Sequence, residues 1–304
     1  MTVTKGVGRS RMTPDKLRGF ARFLELHAGI VRYVGKNGER KWGTKPGPYY
    51  YVDTHCGTGD NEDYGPGSPV IFLDTMRRLG MDYRAFFIDL NVGQLRERIG
   101  RDTRVTIYEQ DNRDAIDDVV AQLPAKALGM LYMDPNGSPT PWIQLLMTVA
   151  EKRHRLDILV RANTTAVKRD PSPLRFADIP AKVAKEHWLI RGPAPGDGWR
   201  WTFLLGANFQ LGDWKNERFY KLGSHEGRDI MRRLNFTDDE LREIVQPRLF
   251  MREAAAERSG GVCEVCGFMA ATEMHHLSYG PDLDPVKLLH VCHRCHCLLE
   301  GKES

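Results

Sequence analysis

The chain has 304 residues, 41% hydrophobic and 28% charged, which excludes a disordered or collagen-like polypeptide and leaves room for two domains with apolar cores. A net charge of +4, from 44 basic against 40 acidic residues, permits nucleic-acid binding without arguing for it. No apolar run approaches the roughly 20 residues of a membrane span, and the basic N-terminus Met1–Arg11 lacks an apolar h-region, so a cytoplasmic chain with no membrane association is expected.

In chain order, Thr13-Pro14 is an N-cap followed by a first-turn proline, which predicts a helix to about Val34 with Phe20, Phe23, Leu24, His27 and Val31 at helical spacing. A Gly/Lys-rich loop, Gly35–Gly47, leads to the buried-strand run Tyr49–Val52. Ser68-Pro69 starts another helix, which Gly80 ends. Strands are then expected near 84–89, 103–108, 128–134 and 156–161, alternating with helices near 92–99, 112–122 and 139–153. This alternation predicts an α/β fold: a doubly wound, mostly parallel sheet with helices on both faces. His187–Arg191 and Arg200–Leu205, separated by G-P-A-P-G-D-G, read as a hairpin closing that sheet, and Asp238–Arg258 as a charged connecting helix capped by Thr237. The expected division is an α/β domain over 1–236, a connecting helix over 237–260 and a small domain over 261–304.

Ligands of doubly wound sheets sit beyond the carboxyl ends of the strands, where the first strand-to-helix turn is glycine-rich. That turn is Asp53-Thr54-His55-Cys56-Gly57-Thr58-Gly59. Gly57 and Gly59 let a ligand approach the backbone, and Asp53 can accept from an ammonium group. Asp89 ends the next strand and suits a pair of ribose hydroxyls; Asp111 follows the third and can accept from an adenine amine. The fourth strand runs into Asp134-Pro135-Asn136-Gly137. Each of these acids can also serve as a helix cap or turn residue. Cys56 and His55 read as packing residues of the turn.

These motifs resemble the class I S-adenosylmethionine-dependent methyltransferases, and more closely the three-Cys-motif partner (TcmP) family. The likeness spans about residues 14–235 and rests on Tyr51-Val52-Asp53, Gly57-Thr58-Gly59, Gly67-Ser68-Pro69 and Asp134-Pro135-Asn136-Gly137. It implies a Rossmann-like methyltransferase domain that binds S-adenosylmethionine through Asp53, Gly57, Gly59, Asp89 and Asp111. Asp134 and Asn136 would then form the catalytic tip, orienting a base amine toward the methyl donor. The chain departs from the family in a longer loop, Asp60–Gly67, and in Asn136, where an aromatic residue is usual; Trp142 is the nearest aromatic candidate to stack on a base.

Five of the six cysteines and five of the ten histidines lie between Cys263 and Cys297. Two C-x-x-C pairs, Cys263/Cys266 and Cys292/Cys295, separated by 25 residues, predict a closed four-thiolate structural Zn²⁺ site, with Cys297 left over. So short a segment would draw folding free energy from the metal. The pattern C-x-x-C, H-H-L, C-x-x-C-H over about Gly261–Lys302 resembles HNH endonucleases, whose fold is a ββα-metal unit. That resemblance implies His276 as the general base, with His275 and His296 holding a catalytic Mg²⁺ or Mn²⁺. Lys287 falls where the motif has asparagine. A zinc knuckle that binds nucleic acid without cutting it fits the same residues.

The combined expectation is a nucleic-acid methyltransferase-like enzyme, with DNA favoured over RNA, and an HNH-type zinc module. Two alternatives stay open: an endonuclease whose nucleoside-binding body is regulatory, and a non-catalytic chain that serves a protein partner.

Overall fold

In a computed structural model, residues 13–42, 47–60, 65–170, 176, 178–193, 201–208, 214–235, 254–277 and 288–299 are described. The chain divides into two compact units, Met1–Asn235 and Phe236–Ser304.

The first unit opens with α1 (Thr13–Trp42), followed by β1 (Tyr49–Asp53), α2 (Ser68–Leu79), β2 (Tyr83–Asp89), α3 (Gly93–Ile99), β3 (Val105–Glu109), α4 (Asn112–Gln122) and β4 (Gly129–Met133). A 3₁₀ turn, Thr140–Trp142, enters α5 (Ile143–Lys152), and β5 (Leu156–Asn163), α6 (Thr164–Lys168) and α7 (Asp178–Lys182) follow. The unit ends with β6 (His187–Arg191), β7 (Trp201–Ala207), β8 (Phe219–Lys221) and α8 (His225–Asn235).

The strands form one sheet in the order β3-β2-β1-β4-β5-β7-β6-β8. β1 to β5 are parallel; β7 adds antiparallel to β5, β6 antiparallel to β7 and β8 antiparallel to β6. The order reverses between β1 and β4, which opens a crevice at their carboxyl ends. Alternation along the strands divides the core in two. Tyr49, Tyr51, Phe87, Met130 and Tyr132 pack with Phe20 and Phe23 of α1, Phe72 of α2 and Leu95 of α3. Val52, Ile88, Leu131, Met133 and Val160 pack with Val119 of α4 and Leu146 of α5. Burial on both faces explains why these strands read as apolar runs and not as alternating ones.

Three boundaries differ from expectation. α1 continues beyond Val34 to Trp42, because Gly35 keeps a right-handed conformation and the next proline is Pro46. Pro139 and Pro141 replace the first turn of the expected 139–153 helix by the 3₁₀ segment. The β6/β7 hairpin does not close the sheet: β8, three residues long and thus too short to show a period, takes the edge beside β6. Residues 194–200, including Arg200, lie outside the described residues.

In the second unit, β9 (Glu273–His276) pairs antiparallel with β10 (Leu288–Val291), and a helix over His293–Leu299 follows, giving a ββα order. Of the expected connecting helix, residues 254–259 are helical; Asp238 and Thr237 lie outside the described residues, as does Lys287. Among the described residues no helix is long and apolar enough to cross a membrane.

Candidate functional site

The turn after β1 is held by its own hydrogen bonds. Gly57 and Gly59 have φ of +59° and +75°, a region that costs any residue with a Cβ. Gly57 donates its N–H to Asp89 Oδ2 at 2.9 Å, tying the turn to the end of β2, and Asn91 N–H reaches Asp89 Oδ1 at 3.2 Å. A carboxylate has about four acceptor sites, so Asp89 keeps one on each oxygen, enough for two hydroxyls. A Cβ on Gly57 would meet nothing within 4 Å, so this side of the turn is open, whereas one on Gly59 would lie 2.5 Å from Leu95 Cδ1. An acid with paired acceptor sites beside an open glycine fits the adenosyl part of S-adenosylmethionine.

Asp53 is placed differently from its expected role. It is fully buried and accepts from Ser68 Oγ at 2.7 Å, Tyr51 OH at 3.1 Å and the His55 N–H at 3.2 Å. Burial pushes its carboxyl up to about 7, against the lowering effect of Ser68, the His55 amide and Tyr51. Asp53 therefore braces the turn from below. The same brace accounts for Gly67-Ser68-Pro69: Gly67 N–H donates to Gly59 O at 3.0 Å, and Pro69 occupies the first turn of α2. The longer loop after Gly59 is pinched at its base by a bridge between Asp60 and Pro66.

Asp111 caps α4. Its carboxylate accepts the Arg113 N–H at 2.9 Å and the Arg113 guanidinium at 2.9 and 2.7 Å, which brings it down to about 2. The cap reading thus accounts for its position, and most of its acceptor capacity is spent. His55 and Asn112 complete this wall: Asn112 Nδ2 lies 3.1 Å from His55 Nε2, and His55 Nδ1 lies 2.9 Å from Thr54 Oγ1. Burial lowers the His55 pKa, so the ring is neutral. Trp142 meets the His55 ring edge-on at 5.2 Å and carries the Arg113 guanidinium 5.0 Å from its ring centre. Cys56 is buried, and burial raises its thiol far above the ordinary range, as a packing residue requires.

At the tip of β4, Asp134 has three of its about four acceptor sites taken and keeps one on Oδ1. Its Oδ2 takes Lys16 Nζ at 2.8 Å and Tyr132 OH at 3.2 Å, and its Oδ1 takes Arg161 at 3.1 Å. Burial pushes this carboxyl up, but Lys16 and Arg161 outweigh it and hold the group ionised, well below the usual carboxylate range. Asn136 is exposed, two residues on, beyond the buried Pro135. Within the first unit, Lys16 and Arg161 are site residues that the sequence left unmarked as such. Arg161 had a signal, a charge inside the apolar run of β5; Lys16 had none, since its partner lies 118 residues away.

In the second unit, the sulfurs of Cys263, Cys266, Cys292 and Cys295 all lie within 4.8 Å of one another. Zn–S bonds of about 2.3 Å place tetrahedral sulfurs about 3.8 Å apart, so the donor set fits Zn²⁺. Gly267, at φ +70°, donates to Cys263 O at 2.9 Å and turns the first C-x-x-C knuckle. Burial pushes the Cys263 thiol up, but the backbone N–H groups of Cys266, Cys292 and Val265 outweigh it and bring it to about 6, favouring the thiolate a metal needs.

Beside the cysteines, the rings of His275 and His296 lie 5.2 Å apart, and His275 Nδ1 is buried without a hydrogen-bond partner. Glu273, which the sequence reading passed over, takes His296 Nδ1 at 2.6 Å and His293 Nδ1 at 2.7 Å. His276 lies on β9 opposite Leu288; its side chain lies outside the described residues.

No protein-family model matches the sequence, and no curated protein matches it. Among solved structures, the chain is similar to a protein from Legionella pneumophila at 13% identity and a TM-score of 0.43, over 65% of this chain and 87% of that one. It is similar to a probable spermidine synthase from Corynebacterium glutamicum at 14% identity and 0.35, over 67% and 70%. The CMeT domain of the citrinin polyketide synthase overlaps at 12% identity and 0.38, over 54% and 47%. Likeness at this level assigns no activity. By its own strand order the first unit is a doubly wound α/β domain, and the second is a ββα unit around a four-cysteine cluster.

Proposed function

We propose that the first unit is an S-adenosylmethionine-dependent methyltransferase acting on an amino group of a nucleic-acid base, with DNA favoured over RNA, and that the second unit is a zinc module that binds nucleic acid. The observation that carries this reading is the Gly57 amide on Asp89 at the point where the strand order reverses, with open space over Gly57. S-Adenosylmethionine would supply an electrophilic methyl group there. The chain's own part is positioning: Asp134, ionised at the tip of β4, accepts an N–H of the base amine and so aims the nitrogen lone pair, and the displaced proton passes to solvent. Calorimetry with S-adenosylmethionine and its demethylated product tests the cofactor, and transfer of a labelled methyl group to DNA or RNA tests the reaction. Asp89→Ala should weaken cofactor binding by about 1.5–3 kcal/mol by deleting a charge-assisted acceptor pair. Wild-type protein that binds neither compound at millimolar concentration would end this reading.

A second reading is favoured by Glu273, which holds His296 within reach of His275 in a ββα frame. Under it the second unit is an HNH-type nuclease using Mg²⁺ or Mn²⁺ at His275 and His296 with His276 as base, and the first unit is regulatory. Plasmid nicking that requires a divalent cation, and that His276→Ala abolishes without release of zinc, is the expected signal. Equal nicking by both proteins would expose a contaminant. If neither methyl transfer nor nicking occurs, the chain is a binding partner of another protein.

A further inference from the structure

We infer that Glu273 is a positioning residue for a divalent cation in the second unit: it takes the Nδ1–H of His296 and so makes Nε2 the metal-binding nitrogen. This rests on the second reading above, in which His275 and His296 bind Mg²⁺ or Mn²⁺.

The arrangement follows from two local periods. Side chains two apart on a strand share a face, so Glu273 and His275 of β9 point the same way. Residues three apart on a helix are neighbours, which brings together His293 and His296 of the helix His293–Leu299. The two faces meet. Glu273 Oε2 lies 2.6 Å from His296 Nδ1, and Oε1 lies 2.7 Å from His293 Nδ1. The His275 and His296 rings lie 5.2 Å apart, at 76° to each other. One carboxylate thus ties β9 to the helix at two points, beside the pair of rings.

A carboxylate only accepts hydrogen bonds, so a histidine held by it through Nδ1 carries a proton on that nitrogen. In the neutral ring the lone pair then sits on Nε2, the form a metal requires. Without the carboxylate the ring exchanges between two tautomers and turns about its own side-chain bonds. Carboxylates behind metal-binding histidines fix the tautomer and the ring orientation and raise the basicity of the ligating nitrogen. The partner ring supplies the independent sign of a ligand. His275 Nδ1 is buried and has no hydrogen-bond partner among the described residues. A buried ring nitrogen left without a partner is costly, and a cation supplies one. Glu273 therefore does more than hold β9 to the helix: it prepares His296 for the ion that His275 lacks.

The test uses the full zinc-loaded chain with Mn²⁺ as the probe. Free Mn²⁺ is read by electron paramagnetic resonance for wild type, Glu273→Ala and Glu273→Gln, with zinc content as the check that the second unit is intact. Glu273→Ala should lose on the order of tenfold or more in Mn²⁺ affinity, the scale of removing a carboxylate behind a metal-binding histidine, and keep its zinc. Glu273→Gln retains one carbonyl acceptor for His296 and should fall between the two; it decides the matter if the alanine variant loses zinc. Long-range ¹H–¹⁵N spectra of the Mn²⁺-free protein, with the His296 signal assigned by its loss in His296→Gln, should show the Nδ1–H tautomer in wild type and the Nε2–H tautomer in Glu273→Ala. Equal Mn²⁺ affinity in wild type and the zinc-loaded variants overturns the inference and keeps the cation reading, even if the tautomer changes. An unchanged tautomer likewise overturns it. Wild-type protein that binds no Mn²⁺ at millimolar concentration ends the cation reading itself, and the inference with it.

Discussion

Asp53 makes the pH dependence of the first unit specific. Its folded-state pKa of about 7 lies above the ordinary 3.8, so the folded protein holds that proton more tightly than the unfolded chain does. The resulting stabilisation is fully present below about pH 4 and is lost as pH rises through about 7. Asp53→Asn keeps an oxygen for Ser68 and Tyr51 but does not titrate. The stability of wild type relative to this variant should therefore fall between pH 4 and pH 7, by up to about 1.4 kcal/mol per pH unit, in urea unfolding of the zinc-loaded protein. Parallel curves would show that Asp53 is ionised throughout. Asp134 and Asp111 oppose this trend, because each is depressed and loses its contribution as pH falls, and the comparison with Asp53→Asn removes them from the difference. The residue types at the strand tips were legible in the sequence; their partners were not. Asp89, Asp53, Asp111 and Asp134 look alike as strand-end acids, yet one keeps paired acceptor sites, one is a buried brace, one is a helix cap and one is clamped between two cations.

At the scale of elements, the turn between β1 and α2 separates two glycines that look equivalent in G-x-G. Gly57→Ala meets open space and suffers only from its positive φ, which costs about 1–2 kcal/mol. Gly59→Ala adds a contact with Leu95, itself fully buried and unable to yield freely, so its cost should reach about 2–4 kcal/mol. Chemical denaturation of the two variants tests the order. If the Gly59 variant is the more stable, the turn does not pack against Leu95 of α3. The alternation of strands and helices from β1 to β5 could be read in advance because both faces of each strand are apolar. The β8 edge and the 3₁₀ entry to α5 could not, since three residues carry no period and the consecutive Thr-Pro-Trp turn depends on the Trp142 N–H donating to the Pro139 carbonyl.

At the scale of the whole molecule, two compact units predict two unfolding events. Among the described residues, the second unit buries few apolar side chains around its cysteines, Val291 among them, so metal is expected to supply much of its folding free energy. The protein purified without chelator should carry one zinc per chain by elemental analysis. Cys263→Ser should lose it and unfold the second unit while the first keeps its own transition, followed by calorimetry; less than half an equivalent of zinc in wild type would refute the site. The sequence by itself determined the α/β class, the glycine turn and the two C-x-x-C pairs, because strand burial, positive φ and thiolate spacing are local demands that leave local marks. Only the tertiary structure decided which acid is free to meet a ligand. Lys16 and Arg161 reach Asp134 from 118 and 27 residues away, and Ser68 reaches Asp53 across a loop. Burial sets the protonation of Asp53, and cations reached through space set that of Asp134; no periodicity along the chain encodes either.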